Sequence, residues 1–252
     1  MLSFGINCDL GESYGLFRIG NDEGVMPHIH TANVACGFHG GDPSVIRKAL
    51  RLAKRYGVRC GAHPSLPDLQ GFGRREMRID PEELTNMVIY QFGAVRQLMA
   101  AEGMRCHHVK PHGVLYSMLY RLELADAFAD AIEAVDADMA WIIKEGTPTY
   151  EVARKRKMKI VTEFTADREY DRNGDLIITR VPDPVDPAKA AAQVQQVLDT
   201  GMVTTVEGTK IAARGDAVCI HSDTPNSADV ARAISELLKN RYPHLLPARA
   251  ES

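Results

Sequence analysis

Residues 33–42 read NVACGFHGGD, an apolar run that stops at a cluster of glycines with one histidine and one aspartate. The letters NVAC suit a buried β-strand, whereas Gly37, His39 and Asp42 contribute little to a hydrophobic core. In parallel β/α proteins, polar groups at the carboxyl ends of strands form the functional site. We therefore interpret this stretch as one strand of a β/α fold, with His39 and Asp42 at its rim.

The same alternation continues along the chain. Strand-like runs are predicted near residues 3–8, 31–36, 58–62, 106–110, 138–143, 159–164 and 216–221. Helical periodicity is found near residues 43–57, 81–102, 121–135, 147–157, 187–200 and 226–240. This order predicts an α/β barrel of about seven parallel strands, formed by residues 1–252 as a single domain. Two additions are predicted: a strand at 175–180 and a small hairpin at 203–213, which turns at Glu207-Gly208.

Composition and charge limit the classes of partner. The chain of 252 residues is 45% hydrophobic and 25% charged, as in ordinary globular proteins. Its formal net charge of -3 gives no overall positive charge that would attract nucleic acid or an anionic membrane surface. The sequence has no signal-like start and no long apolar span, and its five cysteines form no CxxC pair. We expect a cytoplasmic protein with free thiols that acts on a small molecule and has no nucleic-acid or membrane partner.

The predicted strand ends carry an unusual number of titratable side chains. In a parallel barrel these ends share one mouth, so the side chains should lie close together. They are Asp9, Glu12, His39, Asp42, His63, Lys110, His112, Asp167, Arg168, His221 and Asp223. Each residue alone has an ordinary structural explanation, such as a helix cap for Asp42, but the set indicates chemistry. We predict structural roles for the remaining histidines: His28, His30, His107, His108 and His244.

Several familiar motifs are missing from the sequence. No GxxxxGK[ST] loop is present and no GxGxxG opens a helix, so the chain has no recognisable nucleotide site of its own. It also has no GxSxG elbow and no HExxH motif, which removes support for a serine esterase or a zincin. The GFGRR stretch at 71–75 could bind a substrate carboxylate through Arg74 or Arg75.

Six motifs, in order, carry a resemblance to a known family. They are NCDLGESYG, NVACGFHGGDP, GAHPSLPDLQGFGRR, HHVKPHGVLY, TADREYDRNGDL and CIHSDTP, and they extend over almost the whole chain. The sequence resembles the LamB/YcsF family. That resemblance implies a distorted β/α barrel related to the glycoside hydrolase/deacetylase fold. It also implies an ATP-dependent 5-oxoprolinase, in which this chain joins subunits B and C to open the lactam of 5-oxoproline to L-glutamate.

The motifs that carry the resemblance also supply the candidate site residues, and the chemistry of lactam opening suggests a role for each. The expected catalytic residues are Asp9, His39, His63, Lys110, His112 and Asp167. The expected substrate-binding residues are Glu12, Asn33, Asp42, Arg168 and His221, to which the GFGRR stretch adds Arg74. His112 or Asp9 is the expected general base, His39 or His63 the acid, and Lys110 the group that stabilises negative charge. ATP is expected to bind with the partner subunits.

A divalent metal is a further expectation, because the related deacetylase fold usually holds one. Its ligands here would be Asp9, His39 and His63. The sequence departs from the family's usual pattern at Val114, which is a mild change, and at Thr165 and Ser222, which we expect to alter the lining near Asp167 and His221. A paralogue that acts on another cyclic amide is therefore an alternative.

Two further alternatives belong to other classes of protein. One is a free-standing metal-dependent deacetylase of sugars or amides, which would need neither ATP nor partners. The other is a non-catalytic subunit that binds a carbohydrate or an organic acid, in which Asp9 or His112 could be changed without loss of turnover.

Overall fold

A closed barrel of seven parallel strands forms the centre of the computed structural model, which describes Ser3, residues 5–179 and residues 181–249. The barrel strands are β1 (Gly5–Leu10), β2 (Thr31–Ala35), β3 (Arg59–His63), β4 (Cys106–Val109), β5 (Ala140–Ile143), β6 (Lys159–Thr165) and β9 (Ala217–His221). Strand β9 pairs with both β6 and β1 and so closes the barrel. The predicted seven-strand β/α barrel is confirmed.

Helices surround the barrel between its strands. They are α1 (Asp22–Val25), α2 (Pro43–Arg55), α3 (Pro81–Ala101), α4 (Val114–Met118), α5 (Leu122–Asp136), α6 (Pro148–Lys155), α7 (Pro187–Thr200) and α8 (Ser227–Arg241). Their apolar faces are buried against the outer side of the barrel in one continuous core. In the part of the chain that the structure describes, no helix combines the length and the apolar character needed to span a membrane.

Helix starts are set locally by the sequence. The Asp42 carboxylate accepts hydrogen bonds from the backbone N–H groups of Ser44 and Val45 at the start of α2. Asp80 forms a capping box with Glu83 at the start of α3. A proline follows each aspartate at the first helical position, where its missing N–H costs no hydrogen bond. Such caps typically stabilise a helix by ~1 kcal/mol.

The interior of the barrel is polar on the side of the strand ends. Along β1, the apolar side chains of Ile6, Cys8 and Leu10 pack into the core, and Asn7 and Asp9 alternate with them. Side chains of strands that are not neighbours bond to one another, as Asn7 Nδ2 does with Glu163 Oε2 at 3.2 Å. These bonds cross the interior, so the inner face holds a buried polar network.

Gly61 on β3 makes room for this network. A Cβ atom there would lie 2.3 Å from Cδ2 of His108, which reaches across from β4 to bond Asn33 on β2. A side chain at position 61 would therefore displace the histidine. The glycine is needed for close packing rather than for an unusual backbone angle.

The additions to the barrel were predicted only in part. The hairpin is confirmed, with β7 (Met202–Thr204) antiparallel to β8 (Lys210–Ala212) in a separate two-stranded sheet. The prediction of a strand at 175–180 is wrong over residues 175–179, where the structure has only one isolated bridge, between Leu176 and Tyr170. Position 180 lies outside the described residues. A closed barrel offers no free edge to an extra strand. Helices α1 and α4 were not predicted.

Candidate active site

A cavity of about 760 Å³ opens at the barrel mouth, where the strand ends meet. Seven of the predicted site residues line it: Asp9, His63, Arg74, Lys110, His112, Arg168 and His221. Four more lie behind the lining: Glu12, Asn33 and Asp167 contact lining residues, and His39 contacts Glu12 and stacks on His112. The fold therefore brings together eleven of the twelve predicted positions.

Asp9 is the centre of the polar network. Its Oδ1 accepts a hydrogen bond from Asn33 Nδ2 at 2.8 Å and lies 3.3 Å from Lys110 Nζ. Its Oδ2 lies 3.2 Å from His63 Nε2 and 3.7 Å from His221 Nε2. Burial acts to raise the pKa of Asp9, but His63 and Lys110 outweigh burial and hold that pKa well below its usual range. Asp9 is an ionised carboxylate on the cavity wall.

Lys110 is a buried cation among acceptors. Its Nζ lies 3.2 Å from Glu163 Oε2 and 3.0 Å from Cys219 Sγ, in addition to the contact with Asp9. Burial opposes the charge, but Asp9, Cys219 and Glu163 together raise the pKa of Lys110 well above its usual value. The ammonium group is therefore present at neutral pH, facing the cavity.

His221 and Asp167 form a second pair. Asp167 Oδ1 lies 2.9 Å from His221 Nδ1, and its Oδ2 accepts a hydrogen bond from the His221 backbone N–H. Although burial disfavours the charge, Asp167 and Cys219 hold the pKa of His221 well above its usual value. His221 is thus a charged imidazolium whose Nε2 faces Asp9. Asp167 orients His221 and is not among the residues described as lining the cavity.

Two guanidinium groups lie on one side of the cavity. Arg74 Nη2 donates to Asp223 Oδ2 at 2.7 Å, and Arg168 Nη2 donates to Asp223 Oδ1 at 3.1 Å. Arg168 also contacts Asp167. Arg75 points elsewhere and pairs with Asp68, so the GFGRR stretch supplies one arginine to the site and not two.

A third cluster consists of Glu12, His39, His63 and His112. Glu12 Oε1 lies 3.1 Å from His39 Nε2 and 3.3 Å from His112 Nδ1, and His112 Nδ1 lies 3.0 Å from His63 Nε2. Burial, with Asp9 and Asp223 nearby, raises the pKa of Glu12 well above its usual value. Burial and the neighbouring histidines lower the pKa values of His39 and His112. The ring of His39 stacks on that of His112, with centroids 3.6 Å apart.

The donor set of this cluster fits a divalent metal. One ligand atom from each of its four residues lies within 4.8 Å of the other three. Asp9 is not in this group of four within the described chain, although the sequence suggested it as a ligand beside His39 and His63. Its Oδ1 instead contacts Asn33 and Lys110, and its Oδ2 lies 3.2 Å from His63 Nε2.

Asp42 is the predicted site residue that the fold keeps apart. One of its oxygens caps α2, and the other accepts a hydrogen bond from the backbone N–H of Gly15 at 2.8 Å. Both oxygens therefore serve the backbone near the rim. Among the residues described as lining the cavity, Asp42 is absent.

Sequence reasoning did not place in the site several residues that hold it together, although it did predict a structural role for His108. His108 Nε2 bonds Asn33 Oδ1 at 2.8 Å, and Asn7 Oδ1 accepts a hydrogen bond from Asn33 Nδ2 at 2.7 Å. Glu163 and Cys219 contact Lys110, and Tyr116 lines the cavity beside Glu163. The alternation of polar and apolar residues in INCDL was the available signal for Asn7. The contacts of the others join positions too far apart in sequence for any pattern to show.

The two departures from the family pattern lie in different places. Thr165 lines the cavity, and its backbone N–H donates to the Tyr170 hydroxyl at 2.7 Å. Ser222 is buried outside the described lining, and its Oγ lies 2.4 Å from where a Cβ on Gly20 would be. Only Thr165 therefore changes the surface that a substrate would meet.

Fold and site together define a parallel β/α-barrel protein with a hydrolase-type mouth of carboxylates, histidines and lysine. The LamB/YcsF family profile matches residues 4–251, and the chain belongs to this family. It is 45% identical over 237 residues to a Thermus thermophilus protein named as the A subunit of 5-oxoprolinase, covering 93% of this chain and 95% of that one.

Other relatives agree. A Bordetella pertussis protein with the same name is 44% identical over 232 residues, covering 91% of this chain and 92% of that one. The crystal structure of the lactam utilization protein from Thermus thermophilus superposes with a TM-score of 0.88 at 42% identity, covering 99% of this chain and 100% of that one.

Proposed function

We propose that this chain is the A subunit of a cytoplasmic, ATP-dependent 5-oxoprolinase, which hydrolyses the lactam of 5-oxo-L-proline to L-glutamate with subunits B and C. The names of its relatives support the substrate and imply further subunits. The observation that carries the chemistry is the position of ionised Asp9, between Lys110 and His221 on the cavity wall. A base, a cation and an acid are thus within reach of one bound amide.

The reaction needs activation because amide resonance protects the lactam carbonyl and nitrogen is a poor leaving group. ATP would transfer its terminal phosphoryl group to the carbonyl oxygen and leave ADP. Water then adds to the carbonyl carbon, and the C–N bond breaks as the nitrogen takes a proton, which leaves an acyl phosphate. A second water hydrolyses this acyl phosphate to the carboxylate of glutamate and inorganic phosphate. The sequence contains no phosphate-binding loop, so we assign ATP binding to the complex with the partner subunits.

The roles of the residues follow from their ionisation and position. Asp9 accepts the proton of the attacking water, and Lys110 stabilises negative charge on the former carbonyl oxygen or its phosphate. His221, charged and in the lining, donates a proton to the ring nitrogen. His39 is a less suitable acid, because it lies behind the described cavity lining. Asp9 Oδ2 and His221 Nε2 are 3.7 Å apart, so the proton taken from water can return to His221.

The arginine pair offers a place for the substrate carboxylate. Arg74 and Arg168 both lie on the cavity wall and share Asp223. A guanidinium matches the geometry of a carboxylate, so we assign these two residues to substrate binding. Their shared aspartate fixes their orientation.

The test is the release of glutamate and phosphate from 5-oxoproline and ATP. We would assay this chain alone, the partner subunits of the same organism alone, and the mixture. Turnover is expected only in the mixture. Asp9→Asn should lower turnover in the mixture by roughly 10²- to 10⁴-fold, the usual contribution of a general base. Asp138→Asn, a matched change at an exposed aspartate, should not alter turnover.

Other results would contradict the proposal. ATP-independent release of acetate from acetylated sugars by this chain alone would indicate the deacetylase alternative. Full activity of Asp9→Asn would remove Asp9 from the chemistry. No glutamate from any combination would reject 5-oxoproline as substrate and lead to a screen of other cyclic amides.

A further inference from the structure

Glu12, His39, His63 and His112 form a buried cluster that the proposed lactam chemistry does not need. All four side chains are essentially inaccessible to solvent, with at most 2% of any residue exposed. Three imidazoles and a carboxyl group are costly to bury together unless their polar atoms have partners. The directions of their nitrogen atoms show what kind of partner they suit.

Two backbone carbonyls determine which nitrogens carry hydrogen. His63 Nδ1 lies 2.7 Å from the carbonyl oxygen of Lys110, and His112 Nε2 lies 2.9 Å from that of Phe72. A carbonyl oxygen only accepts, so both of these nitrogens donate. The other nitrogens, His63 Nε2 and His112 Nδ1, therefore present lone pairs in the neutral rings, and they lie only 3.0 Å apart. A cation between them, either a proton or a metal ion, would satisfy both.

Glu12 contacts both His112 and His39, whose rings are stacked on each other. Glu12 Oε1 is 3.3 Å from His112 Nδ1 and 3.1 Å from His39 Nε2. Donors bound at about 2.0 to 2.2 Å to one tetrahedral ion lie roughly 3.3 to 3.6 Å from one another. Three separations within the cluster, 3.0, 3.1 and 3.3 Å, are slightly below or at the lower end of that spacing. Second partners on backbone carbonyls are also typical of histidines that bind metals.

We infer that Glu12, His39, His63 and His112 form a binding site for one divalent transition-metal ion. Three imidazoles and one carboxylate favour zinc and similar ions over magnesium or calcium. Among the described residues, Asp9 is not in the group of four whose ligand atoms lie within 4.8 Å of one another. Its Oδ1 is shared by the Asn33 amide and the Lys110 ammonium, and its Oδ2 lies 3.2 Å from His63 Nε2 and 3.7 Å from His221 Nε2. His63 and His112 line the cavity, so the site is reached from there. A bound ion would add Lewis acidity beside Asp9.

The test measures binding by the full chain alone, without substrate or partners, so its outcome is independent of the proposed 5-oxoprolinase activity. The purified chain is treated with a chelator and titrated with Co²⁺, whose visible absorption reports its ligands, and Zn²⁺ then competes for the site. We expect saturation at one Co²⁺ per chain. Glu12→Gln and His39→Asn should weaken binding by at least the ~10- to 100-fold that loss of an outer partner costs.

Two controls separate the candidate ligand sets. Asp9→Asn should retain one Co²⁺ with less than about a 10-fold change in affinity. His28→Gln, which changes a histidine remote from the cluster, should match the unmodified chain. Circular dichroism and thermal unfolding verify that each variant is folded before titration. Glu12→Gln is nearly isosteric and provides a result even if His39→Asn does not fold.

Two results would overturn the inference. Absence of saturable Co²⁺ or Zn²⁺ binding by the unmodified chain would mean that a proton alone lies between His63 and His112. Loss of binding in Asp9→Asn with retention in Glu12→Gln would assign the ion to a different set of ligands.

Discussion

Asn33 shows how single residues position the chemistry of this site. Its amide nitrogen donates to Asp9 and Asn7, while its amide oxygen faces His108 Nε2. Asn33 is absent from the cavity lining as described. We propose that it acts as a positioning residue, which holds the Asp9 carboxylate and stabilises its charge.

We expect Asn33→Ala to move the activity profile. Without the amide N–H, the Asp9 carboxylate loses a hydrogen bond that favours ionisation, so the acid limb of turnover by the complex should shift to higher pH. The free energy of unfolding should fall by about 1 to 3 kcal/mol, because buried groups lose their partner. The measurements are a pH–rate profile and urea unfolding.

A matched control variant tests whether any asparagine-to-alanine change would have the same effect. Asn86→Ala changes an exposed asparagine on α3 and should leave both the profile and the stability unaltered. If Asn33→Ala lowered stability but left the acid limb in place, Asn33 would have no role in tuning Asp9.

At the scale of elements, two loops are joined below the histidine cluster. Gly113 precedes α4 with a φ of 60°, and the next residue, Val114, donates its N–H to the Gly73 carbonyl at 3.0 Å. A Cβ on Gly113 would lie 2.4 Å from that carbonyl oxygen. The contact brings the loop at residues 71–73 against the turn at residues 112–113. The Phe72 carbonyl oxygen then lies 2.9 Å from His112 Nε2.

We expect Gly113→Ala to destabilise the protein more than Gly146→Ala. Both glycines have positive φ, which costs a non-glycine residue about 1 to 2 kcal/mol. Only at Gly113 does the new methyl group also meet backbone, since nothing lies within 4 Å of a Cβ on Gly146. The difference should exceed about 1 kcal/mol, within the 1 to 3 kcal/mol typical of overpacking. Equilibrium unfolding of both variants measures it, and equal losses would contradict the clash.

At the scale of the whole molecule, buried histidines make stability depend on pH. His30 lies just before β2. Its Nδ1 accepts a hydrogen bond from the backbone N–H of Ile6 at 3.3 Å, so this nitrogen carries no proton. Burial, with help from Arg249 and Arg59, lowers the pKa of His30 to about 4. The unfolded chain takes up that proton near pH 6.5.

The sign of the effect follows from proton counts. Between about pH 4 and 6.5 the unfolded chain binds more protons at His30 than the folded protein, so stability rises with pH in this window. The contribution is fully present above pH 6.5 and is lost as the pH falls towards 4. We expect His30 to change the free energy of unfolding by up to about 3 kcal/mol over this pH window, because each pKa unit corresponds to ~1.4 kcal/mol.

His30→Gln isolates this contribution from that of the other buried histidines. The difference in unfolding free energy between the unmodified chain and the variant, measured by urea unfolding from pH 4.5 to 8, should change with pH in the acid range and level off above 7. A difference that stays constant across the range would show that His30 does not titrate in this way.

Much of the fold could be predicted because its signals are local. Each barrel strand lies within a few residues of its predicted position, since an apolar run of β-rich residues is readable in a short window. The carboxyl ends of parallel strands necessarily share a mouth, so Asp9, Lys110 and His221 could be expected together before any distance was known. The strand predicted at 175–180 failed because edge availability is a property of the whole sheet.

The sequence by itself determined the order of strands and helices, the motifs at the strand ends and the resemblance to the LamB/YcsF family. Only the tertiary structure decided which of these polar residues touch: Asp9 with Lys110 and His221, and Glu12 with His39 and His112. It also decided that Asp42 serves the backbone. The physical reason is the separation along the chain over which each kind of interaction acts. Strand and helix patterns repeat over a few residues, whereas hydrogen bonds in the site depend on contacts of about 3 Å between positions as much as 156 residues apart.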